Sequence, residues 1–280
     1  MTGIDDAINE AFRPIATAVV NFVFFSVPIG EAELPLIVVW LIAGALFFTV
    51  YLRLINIRGF LHAIRIVIGK EDKGSDAPGE VSHFQALTTA VSGTVGVGNI
   101  THVAVAISIG GPGATFWLIV AGFLGMASKF VECTLGVKYR QINADGSVSG
   151  GPMFYLDKGL SERGLPRLGK SLAWYYAIFL ILACLGAGNM FQANQAYVQF
   201  VNVTGGESSF FATRGWLFGS VLAILTALVI IGGIRSIARV TSRLVPFMAL
   251  LYVSTAFIVI GVNAAALPGA VVTIVTEAFS

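Results

Sequence analysis

The sequence predicts an all-α membrane protein with six spans, one of which is broken in its middle. Hydrophobic residues make up 56% of the 280 residues and charged residues only 11%, whereas an ordinary soluble domain has roughly 45–50% and 25%. The apolar residues fall into runs close to the length of about 20 residues that a helix needs to cross a bilayer. One of these runs is interrupted by small polar residues and glycines between Ser92 and Asn99.

Residues 1–33 are expected to form an interfacial segment. Asp5, Asp6 and Glu10 open it, and the apolar run at residues 15–27 is too short to cross about 30 Å of hydrocarbon. An acidic start is also unlike the basic start of a secretory signal peptide. We therefore expect a helix that lies along the membrane surface or re-enters it.

Residues 34–280 are expected to form the transmembrane region. The connector between its first two spans holds an amphipathic stretch at residues 60–68, and residues 110–113 form a glycine-rich turn between the second and third spans. The second span is broken near residues 93–99. The predicted spans are residues 34–54, 84–109, 114–137, 172–201, 215–234 and 245–263.

The positions of the cations predict the orientation. Three connectors, at residues 53–83, 138–170 and 235–243, hold five, six and three of the 17 Lys and Arg residues, and they alternate with connectors that hold almost none. The positive-inside rule places these three connectors in the cytoplasm and the N-terminus outside. The small net charge of +2 says nothing about nucleic acid on a chain this apolar, and we expect no nucleic-acid partner.

The break in the second span predicts a binding site. Gly93, Gly96 and Gly98 weaken the helix by about 1 kcal/mol each, and backbone without helical hydrogen bonds is tolerated at membrane depth only where protein buries it or it lines a cavity. The C-terminal end of the first half-helix presents carbonyl oxygens to a cation, and the N-terminal end of the second presents N–H groups to a carboxylate. The alternative is a glycine-rich helix packed tightly on a neighbour, which explains the glycines but not the polar residues beside them.

Two other functional classes fit the sequence less well. An enzyme would need a nucleophile with a base, or a metal cluster, which His62, His83 and His102 do not provide. A channel would need a continuous polar path, whereas the polar residues concentrate at one depth. His102 is expected to be a packing residue, with proton coupling as the alternative.

Five sequence blocks stand out, at residues 86–100 (ALTTAVSGTVGVGNI), 110–117 (GGPGATFW), 125–132 (GMASKFVE), 150–155 (GGPMFY) and 188–194 (GNMFQAN). They resemble, in the same order, the signature blocks of the alanine or glycine:cation symporter family, also called the sodium:alanine symporters.

The resemblance runs from about residue 34 to the end. It implies a LeuT-like fold, in which two five-helix repeats have inverted topology and the broken first helix of each lies at the substrate and sodium sites. The chain then supplies a preceding helix and the first repeat. Residues 267–280 resemble the approach to the next broken helix, and the second repeat is absent. Such an N-terminal portion could be inactive alone.

The resemblance also implies the site residues. It puts the Val97 and Gly98 N–H groups on the substrate carboxylate, the Ser92 and Val95 carbonyls on a sodium ion, and Thr94 and Asn99 at the substrate or at a second ion position. The implied function is sodium-coupled symport of alanine or glycine across a bacterial inner membrane, with the sodium ion and the lipid bilayer as partners and no other cofactor.

The amides of the fourth span are a further prediction. Asn189, Gln192 and Gln195 are spaced three residues apart on one helix face. Amides in a membrane helix also form interhelical hydrogen bonds worth about 0.6 kcal/mol on average, so the spacing leaves both roles open. Together with the GNMFQAN block, it favours Asn189 and Gln192 as substrate contacts.

Overall fold

The computed structural model describes residues 4–29, 32–70 and 81–279, and most of its regular structure is helical. Within these residues three helices are long and apolar enough to cross a membrane: Gly113–Lys138, Pro166–Val203 and Gly233–Val262. The pair His83–Thr94 and Val97–Gly110, bent by 45°, makes a fourth if the two halves form one span. Two shorter apolar helices, Leu36–Tyr51 and Gly215–Ile230, have 16 residues each. The structure agrees with an all-α membrane protein, and the count of six spans stays a prediction.

One compact unit comprises Met1–Arg58 and Val120–Val131. Its N-terminal part contains a helix and also a β-hairpin that the sequence did not indicate, because the two short strands carry prolines instead of an alternating apolar pattern. The interfacial position of residues 1–33 stays a prediction. After the hairpin, Asn56 is buried and its Nδ2 donates to the Phe123 carbonyl at 2.6 Å. The described elements are α1 (Ile4–Val23), β1 (Ser26–Ile29), β2 (Ala32–Pro35), α2 (Leu36–Tyr51) and α3 (Ile55–Arg58).

The second compact unit comprises Gly59–Ile119 and Glu132–Ser280. The amphipathic stretch predicted at residues 60–68 is helical, and a π-helical turn, Cys184–Met190, joins two α-helices into one long helix. The helices are α4 (Phe60–Val67), α5 (His83–Thr94), α6 (Val97–Gly110), the two ends of α7 (Gly113–Lys138), α8 (Pro152–Ser161), α9 (Pro166–Ala183), α10 (Phe191–Val203), α11 (Gly215–Ile230), α12 (Gly233–Val262) and α13 (Leu267–Glu277), with a short hairpin of β3 (Gln141–Ile142) and β4 (Val148–Ser149) between α7 and α8.

Helix α12 begins earlier than the sixth predicted span. Arg235, Arg239 and Arg243 lie inside this helix, not in a separate connector before residue 245. Arginine is a good helix former, and hydropathy detects only the apolar part of a helix that continues past the hydrocarbon. Thr241 of the added part is buried, and its hydroxyl lies 3.1 Å from the Thr89 hydroxyl of α5. The early start of α12 therefore gives α5 a hydrogen-bonded neighbour.

The contact between α8 and α9 is close because residue 169 has no side chain. Gly169 is buried, and a Cβ added there would lie 2.7 Å from the Leu156 carbonyl oxygen and 3.0 Å from the Asp157 carbonyl oxygen. Backbone atoms cannot move aside as the end of a flexible side chain can. Glycine at this position therefore sets how closely the two helices approach.

The turn between α6 and α7 holds the C-terminal end of the described chain. A Cβ on Gly113 would collide with the Glu277 carbonyl, and the Trp117 indole Nε1 donates to the Ala278 carbonyl at 2.8 Å. The Phe279 ring packs edge-on against the Phe116 and Trp117 rings. The glycine-rich turn is thus both a chain reversal and a docking point for the end of α13.

Candidate functional site

The break predicted near residues 93–99 lies between α5 and α6. Helix α5 starts with a capping box, in which Ser82 Oγ accepts the Gln85 N–H at 3.2 Å and Gln85 Oε1 accepts the Ser82 N–H at 3.1 Å. It ends at Thr94. Val95 and Gly96 have extended backbones, α6 begins at Val97, and the axes of the two helices differ by 45°. Two extended residues are therefore enough to separate the helix ends.

The end of α5 leaves carbonyl oxygens without helical partners. The Val95 N–H donates to the Val91 carbonyl at 2.7 Å, so the carbonyls of Ser92, Gly93 and Thr94 follow the last acceptor of the helix. Terminal carbonyls of a helix have no intrahelical donor and carry partial negative charge. This end of the break therefore has the character that a cation prefers.

Two hydroxyl groups at the end of α5 bond back to their own helix. Ser92 Oγ donates to the Thr89 carbonyl at 2.7 Å, and Thr94 Oγ1 donates to the Ala90 carbonyl at 2.9 Å. A hydroxyl that donates in this way keeps its oxygen lone pairs as acceptors. The two oxygens add acceptor capacity to the same helix end.

The start of α6 presents N–H groups, and side chains accept two of them. Asn99 Oδ1 accepts the Gly96 N–H at 3.1 Å and caps the helix. Gln192 Oε1 accepts the Val97 N–H at 3.0 Å. The Gly98 N–H lies in the first helical turn, where no intrahelical acceptor exists. Of the two N–H groups that the resemblance assigned to a carboxylate, Val97 is thus paired within the chain.

Gln192 reaches the break from the start of α10. The π-helical turn Cys184–Met190 ends two residues before it, and such turns carry more residues per turn than an α-helix and so shift the faces of the residues that follow. A Cβ on Gly96 would lie 3.2 Å from Gln192 Oε1. Glycine at position 96 is therefore what allows the amide to reach the Val97 N–H.

His102 is a part of the site that the sequence analysis treated as a packing residue. Its ring stacks on the Phe191 ring, with centroids 5.2 Å apart and planes 18° from parallel. Its Nδ1 lies 3.3 Å from the position of a Cβ on Gly98. The packing role is observed, but the ring also faces the break. The only sequence signal was its position three residues after Asn99, on the same face of a helix.

These groups line an open cavity of about 1120 Å³. Five of the residues predicted to bind substrate or sodium through side chains or backbone line this cavity: Ser92, Thr94, Gly98, Asn99 and Gln192. Val95 and Val97 lie within the break without lining the cavity, and Asn189 is exposed in the π-helical turn outside the described lining. The other lining residues are Gly93, Gly96, His102, Val103, Ala106, Leu118, Gly188 and Phe191.

Comparison with known proteins identifies the family to which this arrangement belongs. The family model described as the sodium:alanine symporter family matches residues 19–280. The chain belongs to the sodium:alanine symporter family. This is a family of transporters and not of enzymes. Because the chain belongs to this family and has long apolar helices, it is a multi-pass membrane protein.

Several curated relatives are similar to this member of the family. The sodium/alanine symporter AgcS of Methanococcus maripaludis is 40% identical over 247 residues, which are 88% of this chain and 52% of AgcS. The amino-acid carrier protein AlsT of Bacillus subtilis is 37% identical over 85% of this chain and 47% of its own length. The probable sodium/glutamine symporter GlnT of the same organism is 34% identical over 87% and 48%. The chain spans about half the length of these relatives.

Proposed function

We propose that the chain carries one side of the substrate and sodium sites of a symporter that moves a small neutral amino acid, alanine or glycine, together with sodium. The observation that carries this proposal is the meeting of two helix ends of opposite polarity in one cavity. Ser92, Gly93 and Thr94, whose carbonyls follow the last acceptor of α5, line the same cavity as Gly98 and Asn99 of the first turn of α6. A cation and a carboxylate are the pair of ligands that such ends suit.

The sodium ligands in this proposal come from the end of α5. Carbonyl oxygens of Ser92 and Val95 coordinate the ion, and Thr94 contributes its hydroxyl oxygen. Thr94 Oγ1 already directs its hydrogen to Ala90, which leaves an oxygen lone pair for the cation. Hard cations such as sodium prefer oxygen ligands of this kind.

The substrate ligands come from α6, α10 and the π-helical turn. The carboxylate takes the Gly98 N–H and displaces Gln192 Oε1 from the Val97 N–H, so one acceptor oxygen replaces another. The released Gln192 amide and the Asn99 amide then bond the substrate, with Thr94 beside them. Asn189 is a substrate contact only if the turn Cys184–Met190 rearranges, since its side chain lies outside the described cavity.

The proposed fold is LeuT-like. Helices α5 and α6 form the broken first helix of a five-helix repeat, α7, the long helix from α9 to α10, α11 and α12 follow, and α13 leads towards a second broken helix. The basic connectors face the cytoplasm and the N-terminus lies outside, in a bacterial inner membrane. The two repeats then rock around the site, and sodium favours the outward-open state.

The test is uptake by the whole protein that contains this chain. Purified protein is reconstituted in proteoliposomes, and labelled alanine and glycine uptake is measured with and without an inward sodium gradient. Uptake that requires the gradient supports the proposal. Equal flux in the absence of sodium contradicts sodium-coupled symport. Uptake of glutamine but of neither small amino acid would retain symport and overturn the substrate.

A further inference from the structure

The first turns of α9 carry a group of residues that the transport proposal does not use. Arg167, Lys170 and Ser171 precede an apolar stretch that continues to Ala183 without a charged residue, and Trp174 lies one turn into that stretch. The change from basic to apolar residues occurs within about two helical turns. In a membrane protein such a change marks the level of the lipid headgroups.

The four side chains share one face of α9. Successive residues of an α-helix are rotated by about 100° around its axis. Measured in one direction from Gly169, residues 167, 170, 171 and 174 all fall in the arc between roughly 100° and 200°. Gly169 is the position that packs against α8, since its absent side chain would meet the Leu156 carbonyl. Helix α8 therefore covers the opposite side, and all four side chains are exposed, Trp174 to 65%. Together they line an open groove of about 670 Å³.

The charge of this groove is not neutralised from within the described part of the chain. Neither Arg167 nor Lys170 has an ion-pair partner among residues 4–29, 32–70 and 81–279. Asp157 of α8 lines an adjoining groove together with Lys170 and Trp174. The described residues therefore leave both cations to an external anion.

We propose that Arg167, Lys170, Ser171 and Trp174 form a binding site for the headgroup of an anionic glycerophospholipid. The Arg167 guanidinium donates two hydrogen bonds to the phosphodiester, the Lys170 ammonium adds charge, and the Ser171 hydroxyl adds a donor. The Trp174 indole lies at the boundary between headgroup and acyl chains, where amphipathic rings are favoured. Basic pockets beside membrane-spanning helices bind anionic headgroups in this way. A zwitterionic phospholipid has the same phosphate, but its amine is repelled by the two cations.

The experiment measures retained lipid. The whole protein is purified in mild detergent, exposed to equimolar phosphatidylglycerol and phosphatidylcholine, and examined by native mass spectrometry. The site variant carries Arg167→Gln and Lys170→Gln. The matched control carries Lys158→Gln and Arg163→Gln, which remove the same charge from the preceding helix and loop. Thermal unfolding in detergent checks that both variants are folded, and Trp174→Phe tests the indole separately.

We expect the wild-type protein and the control to retain phosphatidylglycerol over phosphatidylcholine, and the site variant to lose roughly 10- to 30-fold of that preference, because each surface cation contributes about 1 kcal/mol. Equal losses in the site variant and the control would show a diffuse charge effect and overturn the site. Displacement of the lipid by millimolar inorganic phosphate would indicate a free-anion site and overturn the lipid assignment. An unchanged preference in the folded site variant would also overturn it.

Discussion

Glycine has different surroundings in the break between α5 and α6 and in the contact between α8 and α9. At Gly169 an added Cβ would lie 2.7 Å from a backbone oxygen of the neighbouring helix. No described residue places an atom within 4 Å of a Cβ on Gly93, and on Gly96 and Gly98 the nearest atoms are Gln192 Oε1 at 3.2 Å and His102 Nδ1 at 3.3 Å. Gly169 lets two backbones approach, whereas Gly96 and Gly98 leave room for polar side chains beside a backbone.

This difference separates two interpretations of a glycine-rich membrane helix. Close packing of helices requires backbone atoms opposite the glycine, which is what Gly169 has. The glycines of the break instead leave room for an amide and an imidazole. Among the described residues, the backbone contact that close packing requires is found at Gly169 and not at Gly93, Gly96 or Gly98.

The largest expected effect is that of Asn99→Ala on transport. The change removes the cap on the Gly96 N–H, worth about 1 kcal/mol, together with a proposed substrate contact, so we expect sodium-driven alanine uptake to fall at least about tenfold. Asn194→Ala, which removes an exposed amide of α10, is the matched control. His102→Ala should cost clearly less uptake than Asn99→Ala. Equal losses at positions 99 and 102 would undo the assignment of Asn99.

The second prediction concerns Gly169→Ala and the stability of the protein. The methyl group would force α8 and α9 apart, and overpacking of this kind costs about 1–3 kcal/mol. The measurement is the unfolding temperature in detergent. Gly136→Ala, in a helix position with nothing within 4 Å, is the control and should be neutral or slightly stabilising. Two variants of equal stability would mean that residue 169 is not a packing position.

The third prediction is that Gly96→Ala changes transport and leaves stability nearly unchanged. Its methyl group meets the end of a flexible side chain at 3.2 Å, so Gln192 shifts by a few tenths of an ångström and its hydrogen bond to the Val97 N–H is weakened. We expect the KM for alanine to rise several-fold, with an unfolding temperature close to that of the wild type. In a double-mutant cycle with Gln192→Ala the two effects should not add, because the second change removes the group that the first displaces. Additive effects would separate Gly96 from Gln192.

The smallest expected effect is that of Gly93→Ala on stability. Alanine is favoured over glycine in a helix by about 1 kcal/mol, and no neighbour opposes the added methyl group. Thermal unfolding should therefore be unchanged or shifted slightly upwards. A clear loss of stability would show that the end of α5 is closely packed. It would contradict the difference between the open surroundings of Gly93 and the close packing of Gly169.

Hydropathy and the positions of glycine indicated where helices and the break lie, whereas the orientation predicted from charge stays a prediction. The break appears at Val95 and Gly96, inside the range predicted from Gly93, Gly96 and Gly98, because each weakens a helix in a known way. The apolar runs matched helices because membrane-spanning backbone must satisfy its hydrogen bonds internally. Helix α12 begins before the predicted span at residues 245–263, because hydropathy does not register a helix that continues through Arg239 and Arg243.

The finer features of the site were beyond such patterns. A π-helical turn satisfies backbone hydrogen bonds much as an α-helix does, so the sequence around Gly188 gave no sign that the helix changes pitch there. The bond between Gln192 and Val97 joins residues 95 positions apart, and no local pattern encodes such a pairing. The position of His102 at the site could not be predicted for the same reason, because its stacking partner Phe191 lies in another helix.

The hydrogen bond from the Val97 N–H to Gln192 matters for the step of the proposed transport cycle in which no solute is bound. A carrier of the proposed kind must return across its midpoint without solute, and the part-buried Val97 N–H would then lack an acceptor if Gln192 did not bond it. Gln192 can hold that N–H whenever no carboxylate does. Solute binding then becomes an exchange of acceptors. Such an exchange keeps the solute-bound and solute-free forms of the proposed carrier close in free energy. Neither form then accumulates and slows turnover.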